Sequence, residues 1–290
     1  MANAARMGPV VLGTVICRDL AQSSAAYRNW LGQVTLRQEH LSTAQALELN
    51  APSLIGARSA LLGPSTHELP WLRLIEDPEA SYAEPFARTG WMALEIAVAD
   101  VDELARKLVG SPFALLAAPA DLDLSPSIRA MQVAGPAGEV LYLTQVKAAL
   151  KPFDLPRARH FVDRLFIPVL GAPSRDKALA VYELIAQQRG IVFDTRLGAF
   201  NRCNGLPLEQ RHPVAVIQLK QASMIEIDQL PSTIAALPLN TERLPGGIAS
   251  VTFKVPARHP LLAGAAARHL RGGAREWIQL IGDYAMFRNR

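Results

Sequence analysis

The side chains with the clearest potential for acid–base chemistry in this sequence are Glu95 and His269. Glu95 shares one face of an alternating strand pattern with Ala93 and Ala97, whose small side chains leave room for a ligand. If that face is concave, Glu95 is a buried carboxylate with a raised pKa and can act as a general base, whereas on a convex face it is merely exposed. His269 precedes a closing strand and can also transfer protons, although a single histidine is more often structural.

Arg164 and Tyr142 are candidates for binding an oxygenated ligand. Arg164 lies in an otherwise mostly apolar strand pattern, where its guanidinium offers a fork of donors to a carboxylate, an enolate or a phenolate. The structural alternative pairs Arg164 with a carboxylate of a neighbouring strand, such as Glu226 or Asp228. Tyr142 is a phenolic acid or hydrogen-bond donor in one interpretation and a core aromatic side chain in the other. Glu226 is retained as a candidate for substrate binding.

Composition excludes several classes of protein. With 50% hydrophobic and 19% charged residues, the 290-residue chain is neither disordered nor a coiled coil. The net charge is +4, but basic residues are dispersed and aromatic residues make up only 6%, which disfavours nucleic-acid binding. Two cysteines exclude a disulfide framework and a CxxC-type zinc site. The longest apolar run near the N-terminus is too short to span a bilayer, so a cytoplasmic protein without a membrane partner is expected.

The sequence also lacks the short motifs of several enzyme classes. It contains no GxGxxG pattern, no Walker A loop, no Gly-x-Ser-x-Gly and no HExxH. Nucleotide binding and serine or cysteine hydrolase chemistry are therefore excluded.

The elements that must position the candidate residues follow a repeating order of one strand, one helix and several strands. Asp19 is the predicted N-cap of a helix at residues 20–31, and Asp100 is the predicted N-cap of a helix at 101–108. The second half of the chain repeats this order, with a helix predicted at 174–188. The alternating strand patterns around these helices place the candidate side chains on strands.

An internal repeat divides the chain into two related halves. Residues 130–143 align with residues 267–280, and both segments are predicted as a strand, a glycine-containing turn and a second strand opened by a glutamate. The fourth round is predicted to lack most of its helix because residues 256–265 are too few and contain a proline. We expect an N-terminal paired-module domain at residues 1–150 and a C-terminal one at 151–290.

Four such rounds, the helix entry Ile-Cys-Arg-Asp-Leu at 16–20 and the turn into a last strand at 135–143 resemble the vicinal oxygen chelate superfamily. This superfamily includes glyoxalase I, bleomycin-resistance proteins and extradiol dioxygenases. The resemblance covers residues 9–146 and 159–282. It implies an α+β fold of four βαβββ-type modules, the fourth truncated, in two paired halves whose strongly curved mixed sheets form cups around a ligand.

The resemblance also implies where a divalent metal would bind, because the family holds its metal with His and Glu on the first and last strands of the modules. The corresponding positions here are Leu12, Ala93, Tyr142, Arg164, Ser250 and Gln279. Arginine has no acceptor, and serine and glutamine are weak uncharged ligands, so these positions do not supply three good ligands. The expectation is therefore no cofactor, with a divalent metal disfavoured.

The resemblance and these substitutions together predict a glyoxalase-like or dioxygenase-like protein that acts without a metal on a small oxygenated compound. The compound is aromatic or enolisable, and the chemistry is proton transfer, isomerisation or a lyase reaction. Arg164 is expected to hold the anionic group, and Ser250 and Gln279 to orient it. Glu95 or His269 is expected to transfer the proton.

Two alternatives to this enzyme remain open from the sequence. One is a non-catalytic protein that sequesters a small molecule, as in the antibiotic-binding branch of the family. The other is a metal-dependent dioxygenase or lyase whose ligands lie in a different register, for instance Glu95, Glu226 and His269. In each case the expected partner is a small molecule, and a homodimer is left open.

Overall fold

The computed structural model describes residues 7–123, 125–239 and 243–282, and it contains four successive modules of the expected βαβββ type. The first module has a short additional helix after its second strand: β1 (Val10–Cys17), α1 (Leu20–Leu31), β2 (Val34–His40), α2 (Thr43–Glu48), β3 (Arg58–Gly63) and β4 (Leu72–Glu76). The second module follows the plain order: β5 (Gly90–Val98), α3 (Val101–Lys107), β6 (Ala114–Leu122), β7 (Ser125–Ala134) and β8 (Val140–Val146).

The second half of the chain repeats this order, with the last module shortened. The third module has a short helix after its second strand: β9 (Val162–Ala172), α4 (Arg175–Ala186), β10 (Ile191–Arg196), α5 (Gly198–Cys203), β11 (Arg211–Leu219) and β12 (Ser223–Gln229). The fourth module consists of three strands: β13 (Gly247–Val255), β14 (Ala267–Arg271) and β15 (Trp277–Gly282). A 3-10 turn at Pro260–Leu262 takes the place of its helix, which confirms the predicted truncation.

The helix boundaries follow from local capping. Asp19 Oδ1 accepts a hydrogen bond from the Gln22 backbone N–H at 2.9 Å, and Gly32 ends α1 in the left-handed region at φ 65°. Asp100 Oδ1 accepts from the Glu103 N–H at 2.8 Å and starts α3 in the same way. The predicted start of each helix is therefore confirmed, because an N-cap acts through residues only three positions away.

The segment before β3 contains a helix and a turn that the repeating order of one strand, one helix and several strands does not predict. Part of it forms a 3-10 turn at Pro52–Leu54, and β3 begins only at Arg58. The short helix α2 precedes this turn, with a capping box in which Ser42 Oγ accepts from the Gln45 N–H at 3.2 Å and Gln45 Oε1 accepts from the Ser42 N–H at 2.8 Å. That serine–glutamine spacing is the sequence signal for α2.

The strands form two curled mixed sheets, each built from two modules. Sheet 1 has the described strand order β14-β15-β13-β1-β4-β3-β2 and combines modules 1 and 4. Sheet 2 has the order β10-β11-β12-β9-β5-β8-β7-β6 and combines modules 2 and 3. Each sheet therefore joins one module from residues 1–150 with one module from residues 151–290, instead of the two modules of the same half.

The edges of the opening strands explain why this pairing could not be predicted. Within modules 1 and 2, the opening strand pairs in parallel with the closing strand, β1 with β4 and β5 with β8. Its other edge is left for an opening strand of a different module, so β1 pairs with β13 and β5 with β9, both antiparallel. The alternation along each opening strand is similar, and it does not specify which two strands meet.

The two sheets pack back to back, and the closest approach is between β1 and β5. A Cβ atom at Gly13 would lie only 2.6 Å from Leu94 Cδ1, so a larger residue at position 13 would push the sheets apart. At the edge of this contact, Ser223 Oγ of β12 accepts a hydrogen bond from the Val10 N–H of β1 at 3.1 Å. The apolar core lies between the sheets and includes the buried faces of α1, α3 and α4.

Each sheet therefore has a second face that points away from the other sheet. In sheet 1, Val15 and Val251 belong to the core between the sheets, and the alternating residues Thr14, Arg73 and Ser250 lie on the opposite side. We call this concave face of sheet 1 cup 1.

Sheet 2 has an equivalent concave face. Leu94 and Ile225 belong to the core between the sheets, whereas the next residues along these strands, Glu95 and Glu226, point to the opposite side. We call the concave face of sheet 2 cup 2. The two cups therefore open on opposite sides of the molecule.

Two buried tyrosine–glutamate hydrogen bonds connect the sheets. Tyr27 of α1 donates to Glu139 Oε1 at 2.7 Å, and Tyr182 of α4 donates to Glu276 Oε1 at 2.6 Å. Burial raises the pKa of Glu139 to about 7, although the hydrogen bonds from Tyr27 and from the Ala137 N–H favour its charged form. The two glutamates are those that align in the internal repeat, and the equivalence of the two hairpins is confirmed.

Removing either tyrosine hydroxyl should destabilise the fold. Tyr27→Phe and Tyr182→Phe each leave a buried carboxyl group without one of its donors, and we expect each to lower the free energy of unfolding by about 1–3 kcal/mol. Urea denaturation followed by circular dichroism measures the change. Tyr142→Phe is the matched control, because the Tyr142 hydroxyl makes no hydrogen bond to a described residue. A cost below about 0.5 kcal/mol for both variants would contradict this role.

Candidate functional site

The strand register of sheet 1 places a row of polar side chains across cup 1. Arg73 on β4 lies opposite Thr14 on β1, and Thr14 lies opposite Ser250 on β13. Ser250 in turn lies opposite Trp277 on β15, which continues the row toward the edge of the sheet. These are the first and last strands of modules 1 and 4, so the row crosses the centre of the cup.

A second row of polar side chains lies beside the first. Thr252 on β13 is opposite Gln279 on β15, and Gln279 is opposite His269 on β14. The Thr252 hydroxyl donates to Gln279 Oε1 at 2.8 Å, which fixes the amide with its nitrogen free to donate. The His269 ring lies 6.0 Å from the Trp277 ring, so the two rows meet at this edge of cup 1.

Cup 1 holds six of the twelve buried side-chain atoms that lack a hydrogen-bond partner among the described residues. They are Thr14 Oγ1, Ser59 Oγ, Arg73 Nε, Ser250 Oγ and both ring nitrogens of His269. Each such atom costs about 1–3 kcal/mol if it stays unpaired, and folded proteins contain few of them. Their grouping on one face makes cup 1 a candidate surface for binding the hydrogen-bonding groups of another molecule.

Arg73 gives cup 1 a positive charge that no described residue neutralises. Its guanidinium makes no hydrogen bond or ion pair with any residue of the described ranges. Burial lowers the pKa of Arg73, but an arginine still remains protonated near neutral pH. The charges of Glu39 and Glu48 act on Arg73 without an ion pair, and Glu39 is itself paired with Arg37 at 2.7 Å. Cup 1 therefore contains a cation that forms no ion pair with a described residue.

His269 carries no charge near neutral pH. Burial and the positive charge of Arg73 lower the pKa of His269 to about 4. The two side chains belong to β4 and β14 and lie on the same face of sheet 1. A neutral imidazole can accept a proton from a ligand, and an anionic ligand would raise the pKa of the ring.

Cup 2 brings together a different set of candidates. Glu95 on β5 lies opposite Tyr142 on β8, and their neighbours on the same face are Glu226 and Asp228 of β12. Burial and the nearby carboxylate of Glu226 raise the pKa of Glu95 to about 8. Burial raises the pKa of Glu226 to about 7, and burial with the charge of Glu226 holds the pKa of Asp228 well above its usual range. Cup 2 is therefore a cluster of acids that favour their protonated forms.

Aromatic side chains fill much of cup 2. Phe200 of α5 packs against Phe86 with ring centroids 6.1 Å apart, and Phe86 packs against Tyr142 at 6.4 Å. His212 holds α5 in place through a contact of 2.7 Å between its Nε2 and Asn201 Oδ1. The sequence pattern does not indicate helix α5. Its side chains Ala199 and Phe200 belong to the apolar cluster on the face of cup 2.

The structure does not bring Arg164 together with Ser250 and Gln279. Arg164 lies near the start of β9 in sheet 2, where its Nη2 donates to the Gln221 carbonyl at 2.9 Å, whereas the other two residues lie in sheet 1. No ion pair joins Arg164 to a carboxylate of the described residues, so the alternative pairing with Glu226 or Asp228 is also not formed.

The strand register explains why Arg164 does not occupy the ligand position that the resemblance assigned to it. The N-cap of α4 is Ser174, and the position seven residues before it is Ile167, which lies opposite Glu95. Arg164 lies three residues earlier and reaches the end of the strand instead of its centre. The candidates of the sequence thus divide between the cups: Ser250, Gln279 and His269 in cup 1, and Glu95, Tyr142 and Glu226 in cup 2.

Arg73 is a candidate residue that the sequence alone does not single out. It is a single arginine between Leu72 and Leu74, both buried in the core between the sheets. That alternation places Arg73 on the other face of β4, and β4 is a closing strand of the kind that carries a ligand in the family. A charged residue within an alternating apolar strand is therefore the sequence signal that points to Arg73.

The divalent metal that the fold implies does not fit the side chains present. The central positions of cup 1 carry hydroxyls, an amide and the Arg73 guanidinium, which repels cations. In cup 2 the acids Glu95, Glu226 and Asp228 share a face. However, no group of three or more His, Cys, Asp or Glu side chains in the described ranges has an arrangement that could hold a metal ion. Neither cup therefore supplies the donor set that the family uses.

Comparison with solved structures identifies the fold. The structure of glyoxalase I from Zea mays matches with a TM-score of 0.58 at 13% identity, over 94% of this chain and 92% of that chain. A variant of the same enzyme gives a TM-score of 0.61 at 13% identity, over 94% and 93%. A predicted dioxygenase from Bacillus subtilis gives 0.60 at 10% identity, over 97% and 87%. The chain has the vicinal oxygen chelate fold, which confirms the resemblance seen in the sequence.

Sequence comparisons add no closer relationship. No family model matches the sequence, and no curated protein matches it either. Among the described residues, no helix is both long enough and apolar enough to cross a bilayer.

The buried acids of cup 2 should make stability depend on pH. The pKa of Glu95 is raised by folding, so its contribution to stability is full below about pH 4.5 and is lost as the pH rises toward 8. We expect Glu95→Gln to match the parent at pH 5 and to be more stable by about 1–3 kcal/mol at pH 8.5. Guanidinium denaturation at both pH values measures this difference.

Glu103→Gln is the control for this measurement, because Glu103 is exposed in an i, i+4 pair with Lys107 at 2.7 Å. The difference in the free energy of unfolding between Glu103→Gln and the parent should change little between the two pH values. A Glu95→Gln variant that is less stable than the parent at pH 8.5 would show that Glu95 is charged and needed in the folded state.

Proposed function

We propose that cup 1 is the functional site and that it binds a small oxygenated anion, with Arg73 as the anchor. One observation carries this proposal: Arg73 is a partly buried, charged side chain without a partner among the described residues, on a face crowded with unpaired polar atoms. A guanidinium offers a planar fork of donors that fits a carboxylate, an enolate or a phenolate. Arg73 takes the place that sequence analysis gave to Arg164.

The remaining side chains of cup 1 orient the anion. The hydroxyls of Thr14 and Ser250 flank Arg73 in the same row and can donate to ligand oxygens. The Gln279 amide nitrogen can donate from the second row, since its oxygen is already occupied by Thr252. Such donors stabilise a charge that develops on an oxygen atom, as in the enolate of an enolisable acid.

The reaction that suits this arrangement is proton transfer without a metal. His269 accepts a proton from the carbon next to the ligand carbonyl, the electrons of that C–H bond form the enolate, and Arg73 stabilises the resulting oxyanion. Return of the proton to a different atom gives an isomer. The ligand is therefore a small enolisable acid, which can carry an aromatic ring. The protein that binds it has a glyoxalase-like or dioxygenase-like fold.

Binding without reaction is the second candidate function. The specific observation in its favour is the pKa of about 4 for His269, which makes the free imidazole a weak base. A protein that only sequesters the anion needs the donors of cup 1 and no proton acceptor. The two functions share Arg73 and differ in what His269 does.

Substituting Arg73 should weaken anion binding strongly. Loss of a charge-assisted fork should cost about 2–4 kcal/mol, so Arg73→Gln should bind phenylpyruvate roughly 30- to 1000-fold more weakly, and Arg73→Lys should recover only part of this loss. Isothermal titration calorimetry measures the affinity, with phenylacetone as the uncharged analogue. Arg164→Gln is the matched control and should bind within about 2-fold of the parent. Equal affinity of the parent for phenylpyruvate and phenylacetone, or no binding of either, would refute the proposal.

Substituting His269 should separate turnover from binding. If His269 transfers the proton, the parent should exchange the C3 hydrogens of phenylpyruvate with D₂O faster than the buffer does. His269→Gln should slow this exchange by about 100-fold or more while affinity stays within about 3-fold. Proton NMR follows the exchange, with Arg268→Gln as the control on the same strand. Tight binding without any exchange by the parent would instead identify the sequestering function.

A further inference from the structure

Several polar atoms of cup 1 that the proposed ligand must contact are closed off from solvent. Thr14 Oγ1, Ser250 Oγ and both ring nitrogens of His269 are buried. A ligand cannot form hydrogen bonds with these atoms while the residues that cover them stay in place. Entry of a ligand into cup 1 therefore requires part of the molecule to move.

Residues 41–57, which we call the cover segment, lie over this face of sheet 1. The segment follows β2 at one edge of the sheet, and its helix α2 contacts β14 at the other edge. It therefore spans the mouth of cup 1 from one edge strand to the other.

Apolar side chains hold the cover segment on the cup. Leu49 and Leu54 belong to one buried cluster with side chains from three strands of sheet 1: Ile16 of β1, Ile75 of β4 and Trp277 of β15. Ile16 and Ile75 each lie two residues after a polar residue of the first row, so they are on the same face of the sheet. The cover segment thus rests on the face that contains the proposed site.

The two ends of the cover segment are joined to each other. The Leu41 N–H donates to the Ala57 carbonyl at 2.9 Å, and the Gly56 N–H donates to the Leu41 carbonyl at 2.8 Å. Gly56 turns the chain into this neck at φ 78°, in the left-handed region that favours glycine. A compact loop whose ends meet can turn about its neck without breaking the pairing of β2 with β3.

Backbone hydrogen bonds inside the cover segment give it a structure of its own. The Ala51 N–H donates to the Ala46 carbonyl at 2.9 Å, and the Leu54 N–H donates to the Ala51 carbonyl at 2.9 Å. The Gln45 amide donates to Glu39 Oε1 of β2 at 3.4 Å, on the strand that leads into the neck. Such a segment can leave the cup as a unit at a lower free-energy cost than unfolding of the whole protein.

We infer that the cover segment is a lid, which is closed in this structure, opens about its neck to admit the ligand and closes again over it. The inference rests on the proposed function of cup 1, because the lid controls entry to that site. Closure over a bound anion excludes water from the cup, which protects an enolate from unwanted protonation.

The reactivity of a thiol on the floor of cup 1 tests the lid without any ligand. In a Cys203→Ser background, which removes the exposed cysteine, Ser250→Cys places a thiol at a buried position of the first row. Burial raises the pKa of Cys17 to about 12, so this other cysteine reacts slowly. Mass spectrometry follows labelling by the uncharged reagent methyl methanethiosulfonate, which should be at least about 30-fold slower than labelling of Cys203 in the parent.

Loosening the lid should speed this labelling. Leu49→Ala removes packing between the cover segment and the cup, and it should raise the labelling rate of Ser250→Cys at least about 10-fold. Leu219→Ala is the matched control, because Leu219 is a buried leucine of the core between the sheets, and it should leave the rate within about 2-fold. Thr14→Cys, in the same row, is the second reporter and should give the same pattern.

Two results of the labelling would overturn the lid. Labelling of Ser250→Cys and Thr14→Cys as fast as that of Cys203 would show that the cup is open in solution. Equal acceleration by Leu49→Ala and Leu219→Ala would show that the thiol reacts only when the whole protein unfolds.

The outcomes distinguish failure of the lid from failure of the proposed function. If Arg73→Gln weakens binding of phenylpyruvate but Leu49→Ala leaves labelling unchanged, the lid is wrong and the proposed function stands. If Leu49→Ala speeds labelling but Arg73→Gln changes the affinity of no ligand, the cover segment opens and the proposed function fails.

Discussion

Two buried hydrogen bonds between a tyrosine and a glutamate hold the four modules in place. In each pair the tyrosine belongs to a helix of one sheet and the glutamate to a hairpin of the other: Tyr27 with Glu139, and Tyr182 with Glu276. The second carboxyl oxygen of Glu139 accepts the Ala137 N–H, so one side chain fixes both the hairpin turn and the helix above it. Because the two pairs join the sheets back to back, the opposite faces are left to form the cups.

The same scaffold thus carries two interiors with opposite chemistry. In cup 1, the cationic Arg73 and the neutral His269 face a set of hydroxyls without partners, which suits an anion. In cup 2, Glu95 and its acidic neighbours share a face with an apolar cluster that includes Phe200, and burial favours their protonated forms. Apolar side chains cover part of both cups, among them Leu49 and Ile75 in cup 1 and Phe86 and Phe200 in cup 2. We place function in cup 1 because its remaining lining combines the Arg73 guanidinium with polar atoms that lack partners among the described residues.

Local features of the fold could be predicted from the sequence because they depend on nearby residues. Asp19 and Gly32 define α1 through capping, and the repeated hairpins around Glu139 and Glu276 follow from a pattern of turn and strand. The pairing of β1 with β13 could not be predicted, since it depends on contacts between strands more than 200 residues apart. The strand pattern leaves that choice to tertiary packing.

The candidate site could likewise be predicted only in part from the sequence. Ser250, Gln279 and His269 were available from the resemblance and the repeat, and they do lie together in cup 1. Arg73 and Arg164, however, look alike in the sequence, because each is one arginine in an apolar strand. Only the sheet register distinguishes the central position of Arg73 from the strand-end position of Arg164.

The most direct test of the account is a crystal structure of the protein grown with 4-bromobenzoate, because the anomalous signal of bromine marks the ligand. We expect the carboxylate within hydrogen-bond distance of the Arg73 guanidinium and the bromine within cup 1. Density on Arg164 or among the acids of cup 2 would contradict the central claim. So would a structure in which the Arg73 guanidinium is paired with a carboxylate of the protein itself.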